Sequence, residues 1–308
     1  MNYYLEIRKM NILVKISKWV HAEIYAHITV PYRYYLFSRK LDVRNGEETM
    51  DYIIHNHVSI SRYGDYEYMS INNESNNFNK ANKELAARLK EVLNSNLPNL
   101  AVCLPHAFRS LKNDNRKARI FWKYYIAEKG KMILSLTPLH KVYYDASFTR
   151  FYMDAKNKNH DRIQSYVNKM KLIWDKRNLL IVEGENSRFG VGDDLLDNAR
   201  SIRRILCPST NAFIKYKDIL RITIQEVHKD DLILCALGAT ATVLSYDLTK
   251  MGYQVLDIGH ADIEYSWFKL GVDHKVAIGG KAVNEVGINT ASASKDKKYI
   301  EEIVAKVV

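Results

Sequence analysis

Apolar residues in this chain come either as short continuous runs or at helical spacing, and the two patterns alternate along it. The runs Leu100–Leu104, Asn178–Val182, Ser201–Leu206, Leu232–Leu237 and Tyr253–Ile258 have the length and composition of buried strands. Between them, Asn79–Ser95 carries Leu85, Leu89 and Leu93 at four-residue steps, and Arg116–Lys129 carries Ile120, Phe121, Tyr124 and Tyr125. Both read as helices, as do Asp161–Asp175, Tyr216–Val227 and Thr240–Met251, the last with Gly252 just past its end. The first regular element after the N-terminal segment is read at Asp51–Ile60. Tyr66–Ile71 and Lys131–Leu136 read as further strands. Strands alternating with helices across short connections predict an α/β fold: a Rossmann-like, mostly parallel sheet with helices on both faces, forming a single catalytic domain. In such sheets ligands bind beyond the carboxyl ends of the strands.

Composition narrows the class. The chain has 308 residues, 47% of them hydrophobic, with 13 Gly and 5 Pro, so it can bury a full core and has little room for long linkers. Lys and Arg outnumber Asp and Glu by 46 to 35, a net charge of +11 that favours an anionic partner. Zinc-finger spacing and aromatic RNA-binding motifs are both missing, which argues against nucleic acid. Cys103, Cys207 and Cys235 sit in apolar runs without ligand or disulfide spacing, as in a reducing, cytoplasmic compartment.

Residues 1–45 form a basic and aromatic N-terminal segment, and residues 46–308 the catalytic domain. Within the first forty, Arg8, Lys9, Lys15, Lys18, Arg33, Arg39 and Lys40 face only Glu6 and Glu23, and Trp19 lies among several tyrosines. Charges interrupt the apolar stretch well short of a spanning length. Two readings stay open: peripheral contact with the inner face of the plasma membrane, or a basic helix packed on the domain.

Three clusters at predicted strand ends carry the candidate chemistry. Gly238-Ala239-Thr240 is a small-residue turn opening a helix, where free amides favour a phosphate; a plain N-cap is the bland alternative. Gly259-His260-Ala261-Asp262-Ile263-Glu264 places a histidine and an Asp-x-Glu pair at one strand end, suited to a divalent cation beside a diphosphate. Arg62-Tyr63-Gly64-Asp65-Tyr66-Glu67 holds a second Asp-x-Glu; on a strand starting at Tyr66, Asp65 and Glu67 would share a face. A further run, Glu183-Gly184-Glu185-Asn186-Ser187-Arg188, supplies glycine freedom and an arginine able to neutralise a diphosphate. Some of the charges that follow it must simply pair with one another.

Taken together, residues 183–213 and 232–268, SRYGDYEY at 61–68 and GGKAVNEV at 279–286 resemble the bacterial GT-D type glycosyltransferases, a family formerly listed as a domain of unknown function. The match covers roughly residues 46–290 with the motifs in family order. Tyr66 stands where members often have Gly, and Ala239 where Pro is common.

The resemblance implies a metal-dependent hexosyltransferase. It would move a sugar of the glucose, GlcNAc or galactose class from a UDP-sugar to a glycan, glycoprotein or lipid-linked acceptor in surface polysaccharide or adhesin glycosylation. His260, Asp262, Glu264 and Glu67 are then the catalytic candidates. Arg62, Gly64, Asp65, Arg188, Gly238, Ala239, Thr240, Lys281, Asn284 and Glu285 would bind the nucleotide sugar. Mn²⁺ or Mg²⁺ would be held by Asp262 and Glu264, or alternatively by Asp65 and Glu67. A methyltransferase-like nucleotide-dependent enzyme and a non-enzymatic anion-binding or nucleic-acid-binding protein are the rival readings. Multiple acidic clusters suit a metal–diphosphate better than a sulfonium carrier or a bare anion.

Overall fold

The computed structural model describes residues 14–75, 81–292 and 294–307. Glu6, Arg8, Lys9 and Asn79, on which parts of the N-terminal and first-helix readings rest, lie outside the described residues. Helix α1 (14–24) continues through a π-helical turn, Tyr25–Thr29, into α2 (Val30–Phe37). There follow β1 (Asp42–Val43), α3 (Gly46–Asn56), β2 (Ser59–Arg62), α4 (Asp65–Ile71), α5 (Lys83–Leu93), β3 (Leu100–Leu104) and α6 (Arg116–Leu136). Next come β4 (Val142–Asp145), α7 (His160–Lys171), β5 (Asn178–Gly184), β6 (Ser201–Cys207) and α8 (Tyr216–Glu226). The chain closes with β7 (Leu232–Ala236), α9 (Ala239–Lys250), β8 (Gln254–Asp257), α10 (Ala261–Leu270), α11 (Lys297–Glu302) and β9 (Ile303–Lys306).

The nine strands form one sheet in the order β1-β4-β3-β2-β8-β7-β5-β6-β9, and every pairing between neighbours is parallel. Period-two alternation explains why both faces are covered. Leu179, Ile181, Leu232 and Leu234 pack with Met50, Ile53, Val167 and Trp267 on one side. Their neighbours Leu180, Val182, Ile233 and Cys235 pack with Ile219, Leu244 and Leu248 on the other. A third cluster joins Val102 and Leu104 to Leu85, Leu89, Ile126 and Val243.

Two predicted strands are helical. Tyr66–Ile71 belongs to α4, because Glu67 accepts the Gly64 amide at 2.7 Å and two acidic residues occupy the first turn. The alternation of Tyr66 and Tyr68 imitates a strand there. Lys131–Leu136 continues α6 through Gly130, which breaks nothing; its missing side chain lets the Phe37 ring approach, with Cδ2 3.0 Å from where a Cβ would stand. Residues 30–43, placed in the N-terminal segment by sequence, pack into the same body. Phe37 meets Phe108 edge-on at 5.2 Å, Arg33 donates to the Ala127 carbonyl at 3.0 Å, and β1 pairs with β4. Among the described residues, no helix is long and apolar enough to cross a membrane.

Candidate active site

After β2 the chain runs toward β3 and one edge; after β8 it runs toward β9 and the other. The β2–β8 junction is therefore a topological switch point, where ligands of open α/β sheets bind. A cavity of about 900 Å³ opens at the strands' carboxyl ends there. Arg62 and Gly64 reach it from β2, Asp257 and His260 from β8, Gly238 from β7, and Ser187 and Ser209 from the loops after β5 and β6.

Arg62 lines the cavity but has few donors left for a ligand. Its Nε and Nη2 lie 3.2 and 3.1 Å from Asp257 Oδ1, and its Nη1 donates to the Ala146 carbonyl and Thr149 Oγ1. Gly259, at φ 53°, lets the guanidinium lie against the backbone where a Cβ would collide with it. Burial raises the Asp257 pKa, and Arg62 pulls it back.

Asp65 and Glu67 both line the cavity from the first turn of α4, so they do not share a strand face. Glu67 is bonded to the Gly64 amide, yet burial pushes its carboxyl up to about 7. The Asp65 carboxylate makes no hydrogen bond or ion pair among the described residues.

The second Asp-x-Glu is divided by its helix. His260 precedes α10 and faces the cavity; burial lowers its pKa, which leaves a neutral imidazole. Asp262 also lines the cavity but pairs with the buried Lys281 at 3.0 Å. Two residues on, Glu264 turns into the protein, where its Oε2 accepts the amides of Tyr152 and Met153 at 2.9 and 2.7 Å. Glu264 thus fixes a loop and lines no part of the cavity.

That loop carries the functional candidate the sequence reading missed. Arg150 lines the cavity with one ion pair, to Glu285 at 3.2 Å. Burial opposes its charge, but Glu285 and Glu264 more than compensate and raise its pKa. Glu285 in turn keeps Oε2 buried without a hydrogen-bond partner. Burial works against its charge, and His260 and Arg150 still bring its pKa down. Asn284 lines the cavity beside it. The missed signal was a Ser-Phe-Thr-Arg turn after the short strand β4.

Four other expected ligand-binding residues lie elsewhere. Arg188 donates to the carbonyls of Gly280 and Ser292, so it ties down the C-terminal loop. Ala239 and Thr240 are buried in the first turn of α9, leaving Gly238 as that turn's cavity-facing member. Lys281 is held between Asp262 and Asp193.

Among the described residues no three His, Cys, Asp or Glu side chains are placed to hold a metal ion. An ion beside a diphosphate needs only one or two protein carboxylates, with phosphate oxygens and water completing its shell. Asp65, whose carboxylate has no partner among the described residues, lines the cavity together with Glu67 and fits that demand. Asp262 and Glu264 do not converge, since one is neutralised by Lys281 and the other is committed to backbone amides.

The sequence profile described as the glycosyltransferase GT-D fold matches residues 60–286, which bring every one of these cavity elements with them. The chain belongs to the GT-D glycosyltransferase family. Glycosyltransferase GlyD of Streptococcus pneumoniae serotype 4 is 38% identical over 271 residues, 87% of this GT-D chain and 33% of that protein. A probable glycosyl transferase, Gly, of Streptococcus gordonii is 37% identical over 88% of this chain and 39% of its own length. The chain thus spans about a third of the length of the curated relatives it matches. A solved structure of the highly conserved domain of unknown function 1792, described as having a distinct glycosyltransferase fold, aligns with TM-score 0.85 at 36% identity, covering 91% of this chain and 100% of that one. Another, a new glycosyltransferase of that domain type from Streptococcus sanguinis, gives TM-score 0.82 at 35% identity, over 87% and 100%. The α/β sheet with helices on both faces is accordingly the GT-D fold.

Proposed function

We propose that this GT-D enzyme transfers a hexose of the glucose, GlcNAc or galactose class from a UDP-sugar to a glycan, glycoprotein or lipid-linked acceptor. The observation that carries the reading is the meeting, in one cavity, of a cationic Arg150, a neutral His260 and the open Gly238 turn. Arg150 suits the departing diphosphate, because a guanidinium can hold two phosphate oxygens at once. His260 can take the proton of the acceptor hydroxyl as that oxygen attacks the anomeric carbon. The unmet Oε2 of Glu285 suits a sugar hydroxyl as donor.

A divalent ion remains part of the proposal, with Asp65 and Glu67 as its holders. Bound there, it would offset charge developing on the leaving diphosphate. UDP release from UDP-glucose, UDP-GlcNAc and UDP-galactose by the purified chain, with and without Mn²⁺, tests the reading.

Cytoplasmic placement is supported by three buried, unpaired cysteines. Peripheral membrane contact is supported by α1. Ile16, Trp19, Val20 and Ile24 form an exposed apolar stripe along it, and Lys15 and Lys18 lie off that stripe. Surface polysaccharide or adhesin glycosylation is the setting that the family resemblance suggests.

A further inference from the structure

The cavity has a second wall that neither the nucleotide nor the catalytic groups account for. Lys117, Ala118, Phe121 and Trp122 line it from the first turns of α6, and Tyr66 faces it from α4. Phe121 is 48% exposed although it sits in a lined cleft. Its ring is held on two sides, stacked on Tyr125 at 6.0 Å and 13°, and edge-on to Trp122 at 5.2 Å. Phe108 holds Trp122 in turn, at 5.9 Å and 86°. The Tyr125 hydroxyl donates to the Asp65 carbonyl at 3.2 Å, which ties the wall to the first turn of α4. Lys117 stands at the rim with no ion pair among the described residues.

We infer that this wall is the acceptor subsite and that it takes a neutral pyranose ring. The inference rests on the glycosyltransfer reading and extends it to the second substrate. A pyranose presents one face of C–H bonds made slightly positive by neighbouring oxygens, and an aromatic face is negative, so the two stack. A rigid, pre-formed ring wall binds such a face with little ordering cost. The position agrees with the chemistry. Asp65 touches the wall through Tyr125 and lies close enough to Arg150 to raise its pKa, so the wall borders the groups assigned to the departing phosphate. The Gly238 turn, Ser187 and Ser209 lie at the ends of β7, β5 and β6, leaving the nucleotide the far side of the cleft. At about 900 Å³ the cavity is at the upper end for a single small-molecule site, with room for both substrates.

Saturation-transfer NMR on the intact chain tests this without requiring turnover. The probes are UDP with methyl β-glucoside, methyl β-N-acetylglucosaminide and methyl β-galactoside. Wild type should saturate the ring C–H protons of at least one glycoside. Phe121→Ala should cut that signal at least fivefold, Phe121→Tyr should keep it, and the UDP signal should stay within twofold in both. Thermal melts check that each variant is folded. Loss of the UDP signal together with the glycoside signal would overturn the subsite, because the ring would then be stacking the uracil. Glycoside signals that are absent in wild type, or unchanged in Phe121→Ala, would overturn it equally. Failure of UDP to bind wild type would instead withdraw the donor reading, and the subsite with it.

Discussion

Arg62 and Asp257 join the two halves of the sheet at the floor of the cavity, with Nη2 and Oδ1 3.1 Å apart across the β2–β8 junction. Asp257 is 4% exposed and Arg62 17%, so neither is well solvated. Breaking such a pair leaves an uncompensated buried charge, which typically costs about 3–5 kcal/mol. Asp257→Asn should therefore lower unfolding free energy in urea by about that amount, with a midpoint shift at unchanged slope. A loss below about 1 kcal/mol would mean that Arg62 is free to serve a ligand.

The two Asp-x-Glu pairs should separate by what fails. Asp65→Asn should lower donor turnover on the order of a hundredfold while leaving stability nearly intact, and Glu67→Gln should lower it similarly but also cost about 1 kcal/mol by weakening the cap on the Gly64 amide. Glu264→Gln should instead destabilise the fold by about 1–3 kcal/mol, because it weakens the acceptor of two buried amides. Excess chelator should abolish turnover and Mn²⁺ should restore it. The reverse ranking, with Glu264→Gln stable but inactive, would move the metal to α10.

His106 gives the fold a stability term that depends on pH. Its Nε2 lies 2.8 Å from Asp114 and its Nδ1 3.3 Å from Asp145. Burial opposes its charge, but Asp145 and Asp114 raise its pKa well above 6.5. A raised histidine contributes fully below its unfolded pKa of about 6.5, and the contribution fades as pH climbs through the folded value. The stability gap between wild type and His106→Gln should therefore be largest at pH 6 and shrink steadily on the alkaline side. Urea titrations across pH 6–10 read it directly.

Most of the sheet was legible because its central strands are short runs buried on both faces. Leu232–Ala236 and Asn178–Gly184 needed only length and β-branched or aliphatic content to be placed. The failures have local causes. Tyr66 and Tyr68 alternate like a strand, whereas the cap from Glu67 to Gly64 decides for helix. Gly130 looks like a stop, but it is a contact for Phe37. Within the site, Gly64, Asp65, Glu67, Gly238, His260, Asp262, Asn284 and Glu285 were named from sequence and do line the cavity. Arg150 was not legible, since its place depends on Glu264 holding Tyr152 and Met153 from more than a hundred residues away. No local pattern encodes that contact.

The first helix offers a test of membrane contact that spares the core. Because α2 and β1 pack into the body, deleting residues 1–24 is the informative truncation. The intact 308-residue chain should sediment with phosphatidylserine-containing vesicles, and should bind less as salt rises. The truncated chain should lose that binding and keep its melting temperature. Equal binding by both would assign the basic charge to another role.

The cavity at the β2–β8 junction is proposed as the donor site, with Arg150 on the departing diphosphate. UDP release from UDP-glucose, UDP-GlcNAc and UDP-galactose, compared for wild type, Arg150→Ala and the surface variant Arg221→Ala, tests it most directly. Wild type and Arg221→Ala should release UDP from at least one donor. Arg150→Ala should lose on the order of a hundredfold in release while remaining folded, with some loss of stability because Glu285, 13% exposed, is left unpaired. Arg150→Ala turning over donor at the wild-type rate, or a folded wild type releasing UDP from none of the three, would contradict it.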